Sequence, residues 1–174
     1  MANARKSAGY AAALAAMLAI AGPFVSGWEG KRNTPYRDVV GVLTVCYGET
    51  RMIDPNKRYT DDECARQLQE GLAEFGGKVA DRNPEITTSR FEWAAHTSFA
   101  YNIGLTGYSR SSIARQFEAG DRVGACRAMQ KYKYAGGRVI LGLVYRREGH
   151  LERIGEYELC LAGAVPFEIT GENV

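Results

Sequence analysis

An uncharged, alanine-rich run from residue 7 to residue 28 constrains this chain more than any other feature of its sequence. Arg5 and Lys6 precede the run, and residues 8–25 contain eight alanines and two glycines. A positive start followed by an apolar stretch is typical of an export signal. The length is close to the minimum for crossing a bilayer, but so much alanine and glycine makes the hydrophobicity per residue low.

Four interpretations of this segment are open from the sequence. The segment is a cleaved signal peptide, a permanent anchor, a signal-anchor that can later leave the bilayer, or a buried core helix. For the first of these, Ala19-Ile20-Ala21 offers a small-x-small cleavage site. The low hydrophobicity counts against a permanent anchor. We favour the releasable signal-anchor, and we divide the chain into an N-terminal export segment, residues 1–26, and a second domain, residues 27–174.

The overall composition limits the classes of partner. A chain of 174 residues suits one domain of ordinary size beside the N-terminal segment, and we expect it to be a monomer. Its 22 basic and 20 acidic residues leave a formal net charge of +2, which is too small to indicate a nucleic-acid partner. The charge is compatible with a mildly anionic polymer as substrate.

The four cysteines are compatible with disulfides if the domain is exported. None of them forms a CxxC pair and the chain has only two histidines, so the sequence lacks the closely spaced ligands of a zinc site, and we expect neither a metal nor a cofactor. The even count fits two disulfides in an oxidising compartment, or four buried thiols in a reducing one. Of the three possible connectivities, we expect the pairing in sequence order if the domain is exported, Cys46–Cys64 and Cys126–Cys160.

A β-rich part of the chain is followed by a longer helical part. Residues 36–48 are rich in β-branched residues around Gly41, which predicts a small hairpin or a three-stranded sheet. Thr60 and Glu63 form a capping box that predicts the start of a helix over residues 61–81, with a weak point at Gly76-Gly77. Further helices are predicted over residues 89–102, 111–118, 122–131 and 143–162, with a loop at 134–137. The pattern predicts an α+β fold in which a small β-hairpin lobe and a larger helical lobe enclose a cleft.

Glu29, Asp38 and Thr44 have the side chains that hydrolysis of a glycosidic bond requires. One carboxylic acid must protonate the leaving oxygen, and a second carboxylate must activate water or stabilise the positive sugar. A Glu at a helix end and an Asp on the following hairpin can face each other over a cleft, where a threonine hydroxyl can hold the water. The spacing alone is weakly specific, because a carboxylate at a helix end that pairs with Lys31 or Arg32 is an equally simple interpretation.

The order of residues around these positions resembles the active-site segment of phage-type lysozymes, glycoside hydrolase family 24. The family pattern is Glu, eight residues, Asp or Cys, five residues and Thr, and Glu29, Asp38 and Thr44 match it position for position. Further segments that resemble the family are residues 98–104, 119–121, 134–137, 146–147 and 158–161.

This resemblance implies a lysozyme-like fold, and hydrolysis of the β-1,4 bond between N-acetylmuramic acid and N-acetylglucosamine in peptidoglycan. Glu29 would be the proton donor, Asp38 would orient or activate water, and Thr44 would assist. The family is described as inverting, which requires a carboxyl separation of about 6.5–9.5 Å. Together with the export segment, the resemblance implies a signal-arrest-release endolysin that lyses the host cell. Such a protein is held at the bacterial inner membrane facing the periplasm and is then released into the periplasm.

Four other residues complete the expected site and its surroundings. Asn102 is a candidate substrate contact or a helix C-cap, and Tyr47 is a candidate for stacking on a sugar or for core packing. Glu49 stands where the family usually has His, which puts a local salt bridge in doubt. His96 is expected in the core. A rival function is a non-catalytic wall-binding or membrane scaffold module on the same fold; the intact Glu, Asp and Thr pattern argues against it.

Overall fold

The computed structural model describes residues 2–38, 41–51 and 53–165, with their side chains from residue 8 onward. The side chains of Arg5 and Lys6, and the end of the predicted second domain at residues 166–174, lie outside the described residues. In chain order the elements are α1 (Ala2–Trp28), β1 (Arg32–Arg37), β2 (Leu43–Cys46), α2 (Asp61–Arg82), a 3₁₀ helix (Pro84–Thr88), α3 (Arg90–Ile103), α4 (Leu105–Arg110), α5 (Ser112–Glu118), α6 (Arg122–Met129), β3 (Tyr134–Ala135), β4 (Arg138–Val139), α7 (Leu141–Glu148) and α8 (Glu156–Ala164).

The uncharged N-terminal run forms the single helix α1, and this helix packs into the core of the fold. Met17, Ala21 and Val25 are fully buried at a spacing of four residues, so one stripe of α1 faces the protein interior. The helix packs against α2 and α3. Much of its other surface, including Ala12 and Ala19, is exposed. By length and composition alone, Ala8–Trp28 is also suited to crossing a membrane.

Helix α2 begins at the predicted capping box and continues without a break across Gly76-Gly77. Thr60 accepts a hydrogen bond from the Glu63 amide, and the Glu63 carboxylate accepts one from the Thr60 amide. The predicted weak point at Gly76-Gly77 does not interrupt the helix, and Gly76 makes room for α1. A Cβ atom there would lie 2.5 Å from Cε of Met17, and the Gly76 carbonyl accepts a hydrogen bond of 2.9 Å from Nε1 of Trp93.

Helix α3 is the central element of the helical lobe. Residues 92–100 are all buried, because α1, α2 and α8 surround this helix. A helix enclosed on several sides must satisfy its polar side chains internally. His96, expected in the core, is fully buried there, and its Nδ1 lies 2.8 Å from the hydroxyl of Tyr108.

The two-stranded sheet of β1 and β2 forms the small lobe, and it confirms the predicted α+β architecture. The strands are antiparallel, with Tyr36 opposite Thr44. A disulfide between Cys46 and Cys64 joins β2 to α2, and a second one between Cys126 and Cys160 joins α6 to α8. Both predicted pairings are therefore confirmed.

Two predictions for the late helical part are wrong, and one helix was not predicted. The interval between the predicted helices over residues 89–102 and 111–118 contains the short helix α4, which runs through Gly107. The predicted last helix, residues 143–162, is two helices, because Gly149 adopts a φ of 88° and turns the chain between α7 and α8. The predicted loop at residues 134–137 belongs to the hairpin of β3 and β4.

Candidate active site

Glu29 follows directly after the last residue of α1, and the helix end determines its place. Its amide donates a 2.9 Å hydrogen bond to the carbonyl of Val25, whose side chain is buried in the core. The Glu29 carboxylate accepts a hydrogen bond of 2.5 Å at Oε1 from Nη1 of Arg146. The side chain of Glu29 is 25% exposed and that of Arg146 is 4% exposed. The carboxylate therefore lies at the protein surface while its partner lies inside.

Arg146 bridges the surface carboxylate of Glu29 and a buried one. Its Nε donates to Oε1 of Glu156 at 2.9 Å, and its Nη2 donates to the Ser98 carbonyl at 3.3 Å. Burial acts to lower the pKa of Arg146, but Glu156 and Glu29 outweigh it and raise the pKa above its usual value. The guanidinium is a fixed cation behind Glu29. Its role was not predicted, because only the tertiary fold brings α7 to the end of α1.

The same buried network engages Asn102. Glu156 is fully buried and also binds Nη1 of Arg147 and the hydroxyl of Ser98. Nη2 of Arg147 donates a 2.5 Å hydrogen bond to Oδ1 of Asn102. Gly104 is the C-cap residue of α3, so the C-cap interpretation of Asn102 is wrong. Asn102 lies on the arginine network, and its contact with substrate stays a prediction.

Asp38 and Thr44 lie on the β1–β2 hairpin and both hold Val42. Oδ1 of Asp38 accepts a 2.8 Å hydrogen bond from the Val42 amide, and the Asp38 amide donates to the Val42 carbonyl. Oγ1 of Thr44 donates to the same carbonyl at 3.0 Å, and Thr44 is buried. The structure brings these two residues together at one turn, so each has a structural role besides the predicted catalytic one.

Tyr101 links the hairpin to α3 close to Glu29. Its hydroxyl donates a 3.2 Å hydrogen bond to the Tyr47 carbonyl. Burial, together with the negative charges of Glu29 and Glu49, raises the pKa of the Tyr101 hydroxyl to about 12. Tyr47 is half-buried and packs against both hydrophobic clusters, as core packing requires. An open groove of about 380 Å³ begins beside Tyr101, and its lining residues are Gly48, Glu49, Thr50, Arg51, Glu74, Phe75, Tyr101 and Leu105.

Glu49 closes the hairpin onto α2. Its carboxylate accepts hydrogen bonds from the amides of Thr50 and Arg51, and it forms a 3.1 Å ion pair with the Arg51 side chain. Arg51 in turn pairs with Glu74 of α2 at 2.6 Å. Burial acts to raise the pKa of Glu49, but the contacts with Arg51 outweigh it and hold the pKa below its usual value. A local salt bridge is thus present with Glu at this position.

One group of buried side chains among the described residues has donor atoms close enough for a metal ion, but two of its three members are already engaged. The donor atoms of Glu92, His96 and Cys160 lie within 4.8 Å of one another. Glu92 forms an ion pair with Arg122, and the Cys160 sulfur is bonded to Cys126. The group is part of the core packing around α3, α6 and α8.

Comparison with known proteins identifies the family. The profile of the phage lysozyme family matches residues 26–150, which include Glu29, Asp38 and Thr44. The chain belongs to the phage lysozyme family. A relative from bacteriophage PS119, named SAR-endolysin, is 42% identical over 159 residues that cover 89% of each chain. A relative from enterobacteria phage P21, with the same name, is 39% identical and covers 89% of this chain and 90% of its own.

A solved structure from the same class has the same fold. The active form of the P1 phage endolysin Lyz superimposes with a TM-score of 0.71 at 25% identity, over 88% of this chain and 96% of that one. The chain is thus a lysozyme-type glycosidase of the endolysin class, with a lysozyme-like fold, two disulfides and an N-terminal helix suited to anchoring in a membrane.

Proposed function

We propose that this lysozyme hydrolyses the β-1,4 bond between N-acetylmuramic acid and N-acetylglucosamine in peptidoglycan, with Glu29 as the general acid. The observation that carries the proposal is the ion pair between Glu29 and Arg146, which holds one carboxyl oxygen while the side chain stays 25% exposed. Among the described residues none hydrogen-bonds to Oε2 of Glu29. That oxygen can therefore carry the proton that the glycosidic oxygen receives as the bond breaks.

Asp38 and Thr44 of the β1–β2 hairpin would position and activate the attacking water. Water attacks the anomeric carbon, its proton passes to the carboxylate of Asp38, and the proton of Glu29 leaves with the departing sugar oxygen. The Asp38 side chain and the Thr44 hydroxyl are both held against Val42, so the two groups keep a constant separation. The Thr44 oxygen donates its hydrogen to a carbonyl and keeps lone pairs that can accept a hydrogen bond from the attacking water.

The test is lysis by the purified protein. A folded Glu29→Gln variant should clear chloroform-treated Gram-negative cells at least about a hundredfold more slowly than wild type, which is the usual scale of acid catalysis. Glu152→Gln changes an exposed carboxyl in the loop after α7 and serves as the matched control, with unchanged rate. Mass spectrometry of digested sacculi should find reducing N-acetylmuramic acid ends. Near-normal lysis by Glu29→Gln would remove Glu29 from the mechanism. Binding of the wild-type protein to sacculi, with neither lysis nor new reducing ends, would favour the wall-binding module.

We further propose that the chain starts as a tethered precursor at the inner membrane, facing the periplasm, and is released when the membrane is depolarised. In the fold, Met17, Ala21 and Val25 are fully buried among α2 and α3, and Glu29 follows four residues after Val25. These side chains cannot lie in the bilayer and in the core together. While α1 spans the membrane, the helix end that holds Glu29 against Arg146 is absent from the site, so the tethered form should be inactive.

The exposed face of α1 allows this proposal to be tested without disturbing the core. Gly9 and Ala12 are exposed, and a Cβ on Gly9 meets nothing within 4 Å, so Leu at both positions deepens membrane anchoring only. The Gly9→Leu/Ala12→Leu variant should stay in the membrane fraction and delay lysis, whereas the matched Gly9→Ser/Ala12→Ser variant should be released early. Lysis by the Leu variant at the wild-type time, or wild-type protein trimmed after Ala21, would replace release by simple secretion.

A further inference from the structure

The hairpin between α6 and α7 exposes apolar side chains that nothing in the described fold covers. We call residues 131–141 the basic hairpin. Tyr134 is 59% exposed and Leu141 is 64% exposed, and Val139 and Ile140 are exposed beside them. Strands β3 and β4 pair only with each other among the described strands. Gly136 and Gly137, both at positive φ, form the tight turn at the tip of the hairpin.

The charge of this segment has one sign. Residues 131–141 contain two lysines and one arginine and no aspartate or glutamate. Lys133 pairs with Glu148 at 3.2 Å, and Arg146 and Arg147 are buried in the network behind Glu29. Lys131 and Arg138 are exposed, and neither forms an ion pair with another described residue. The surface of the basic hairpin thus combines exposed aliphatic groups with two cations that have no local counter-charge.

We propose that the basic hairpin is a second membrane-binding element, separate from α1, that lies on an anionic phospholipid surface. Exposed aliphatic side chains gain free energy in the interfacial region of a bilayer, and cations close to an anionic surface are attracted to it. A saccharide would be recognised by aromatic rings with amides or carboxylates around them. Here one aromatic ring accompanies three aliphatic side chains, and no carboxylate lies within the segment.

The position of the hairpin gives this contact a consequence for the site. Its last residue, Leu141, is the first residue of α7, and the same eight-residue helix carries Arg146. A protein that has left the bilayer would therefore stay close to the membrane surface through an element rigidly connected to the residue that holds Glu29. This proposal concerns binding alone, so it can fail or succeed independently of the glycosidase mechanism.

A second exposed apolar loop provides a matched control. Leu151 and Ile154, between α7 and α8, are also exposed. Glu148, Glu152 and Glu158 line the same loop together with one arginine, Arg153, so the charge around its aliphatic groups is predominantly negative. Exposed aliphatic area is present in both places, but only the basic hairpin complements anionic lipid.

Vesicle sedimentation with the full-length protein tests the proposal. Because every variant keeps α1, differences between variants report on the hairpin. Val139→Ser/Leu141→Ser and, separately, Lys131→Gln/Arg138→Gln should each bind phosphatidylglycerol vesicles at least about fivefold more weakly than wild type. Leu151→Ser/Ile154→Ser should bind like wild type, and Lys131→Gln/Arg138→Gln should bind phosphatidylcholine vesicles as wild type does.

Fluorescence from a tryptophan placed in the basic hairpin reports on lipid contact directly, so this test does not depend on whether the other variants fold. In Tyr134→Trp, which keeps an aromatic side chain at the hairpin, brominated phosphatidylglycerol should quench more fluorescence than in the parent protein, which has two tryptophans. Equal quenching in the two proteins, or equal vesicle binding by wild type and the hairpin variants, would overturn the proposal. Weaker binding of the hairpin variants to isolated sacculi with unchanged vesicle binding would overturn it in favour of a glycan-binding surface.

Discussion

Arg146 donates a 2.5 Å hydrogen bond to Glu29 across 117 positions of sequence, and this contact connects the N-terminal helix to the late helical part of the chain. Glu29 is placed by the end of α1, and Arg146 is placed by Glu156 and Ser98 in the buried network. The acid residue therefore has its position only when α1 is packed in the fold. This contact joins the chemistry of the site to the state of the N-terminal segment.

The first prediction concerns Arg146. Arg146→Lys keeps the charge but cannot contact Glu29, Glu156 and Ser98 at once, because an ammonium lacks the planar fork of a guanidinium. We expect kcat for sacculus digestion to fall at least about tenfold, equivalent to about 1.4 kcal/mol, with KM nearly unchanged. Arg127→Lys, which alters an exposed arginine of α6, is the control. An unchanged kcat in a folded Arg146→Lys protein would show that Glu29 needs no fixed cation.

The second prediction concerns the dependence of stability on pH. Burial, with a smaller effect of Arg122, lowers the pKa of His96 from 6.5 to about 3. Below about pH 6.5 the unfolded chain therefore binds a proton on His96 that the folded chain does not bind. The free energy of unfolding falls as the pH drops from that value toward 3. Between pH 7 and pH 5 we expect a loss of about 2 kcal/mol in the free energy of unfolding.

Urea denaturation of two histidine variants tests this effect. His96→Gln should remove most of the loss between pH 7 and pH 5, because the titrating group is gone. His150→Gln should keep it, since His150 is exposed and stacks on Tyr145 with ring centroids 3.8 Å apart. A wild-type pH slope in His96→Gln would mean that another group dominates in this range.

The third prediction compares the two disulfides. Cys126–Cys160 closes a loop of 34 residues and Cys46–Cys64 closes one of 18. In the loop-entropy description, their removal should cost about 4 and about 3 kcal/mol. The paired serine variants should therefore both lower the urea midpoint, with the larger drop in Cys126→Ser/Cys160→Ser. The opposite order would show that the link from hairpin to α2 contributes more than loop closure.

Local signals in the sequence were sufficient for much of the fold. The Thr60–Glu63 capping box predicts the start of α2 correctly, because both partners lie within one turn. The β-rich stretch predicts the hairpin, and the order of the four cysteines predicts their pairing. The predictions failed where distant contacts decide local structure. Gly76 was expected to weaken α2, yet the glycine accommodates Met17 of α1.

The sequence by itself determined the types of residue available for chemistry and the apolar character of α1, since both depend on side chains alone. The family pattern through Glu29, Asp38 and Thr44 belongs to this level. Only the tertiary structure decided what surrounds Glu29. Arg146 and Glu156 look like ordinary charged residues of surface helices in the sequence, but α8 packs on α3 and buries them. A buried charge is tolerated only with a partner, and the partner of Arg146 at the surface is Glu29.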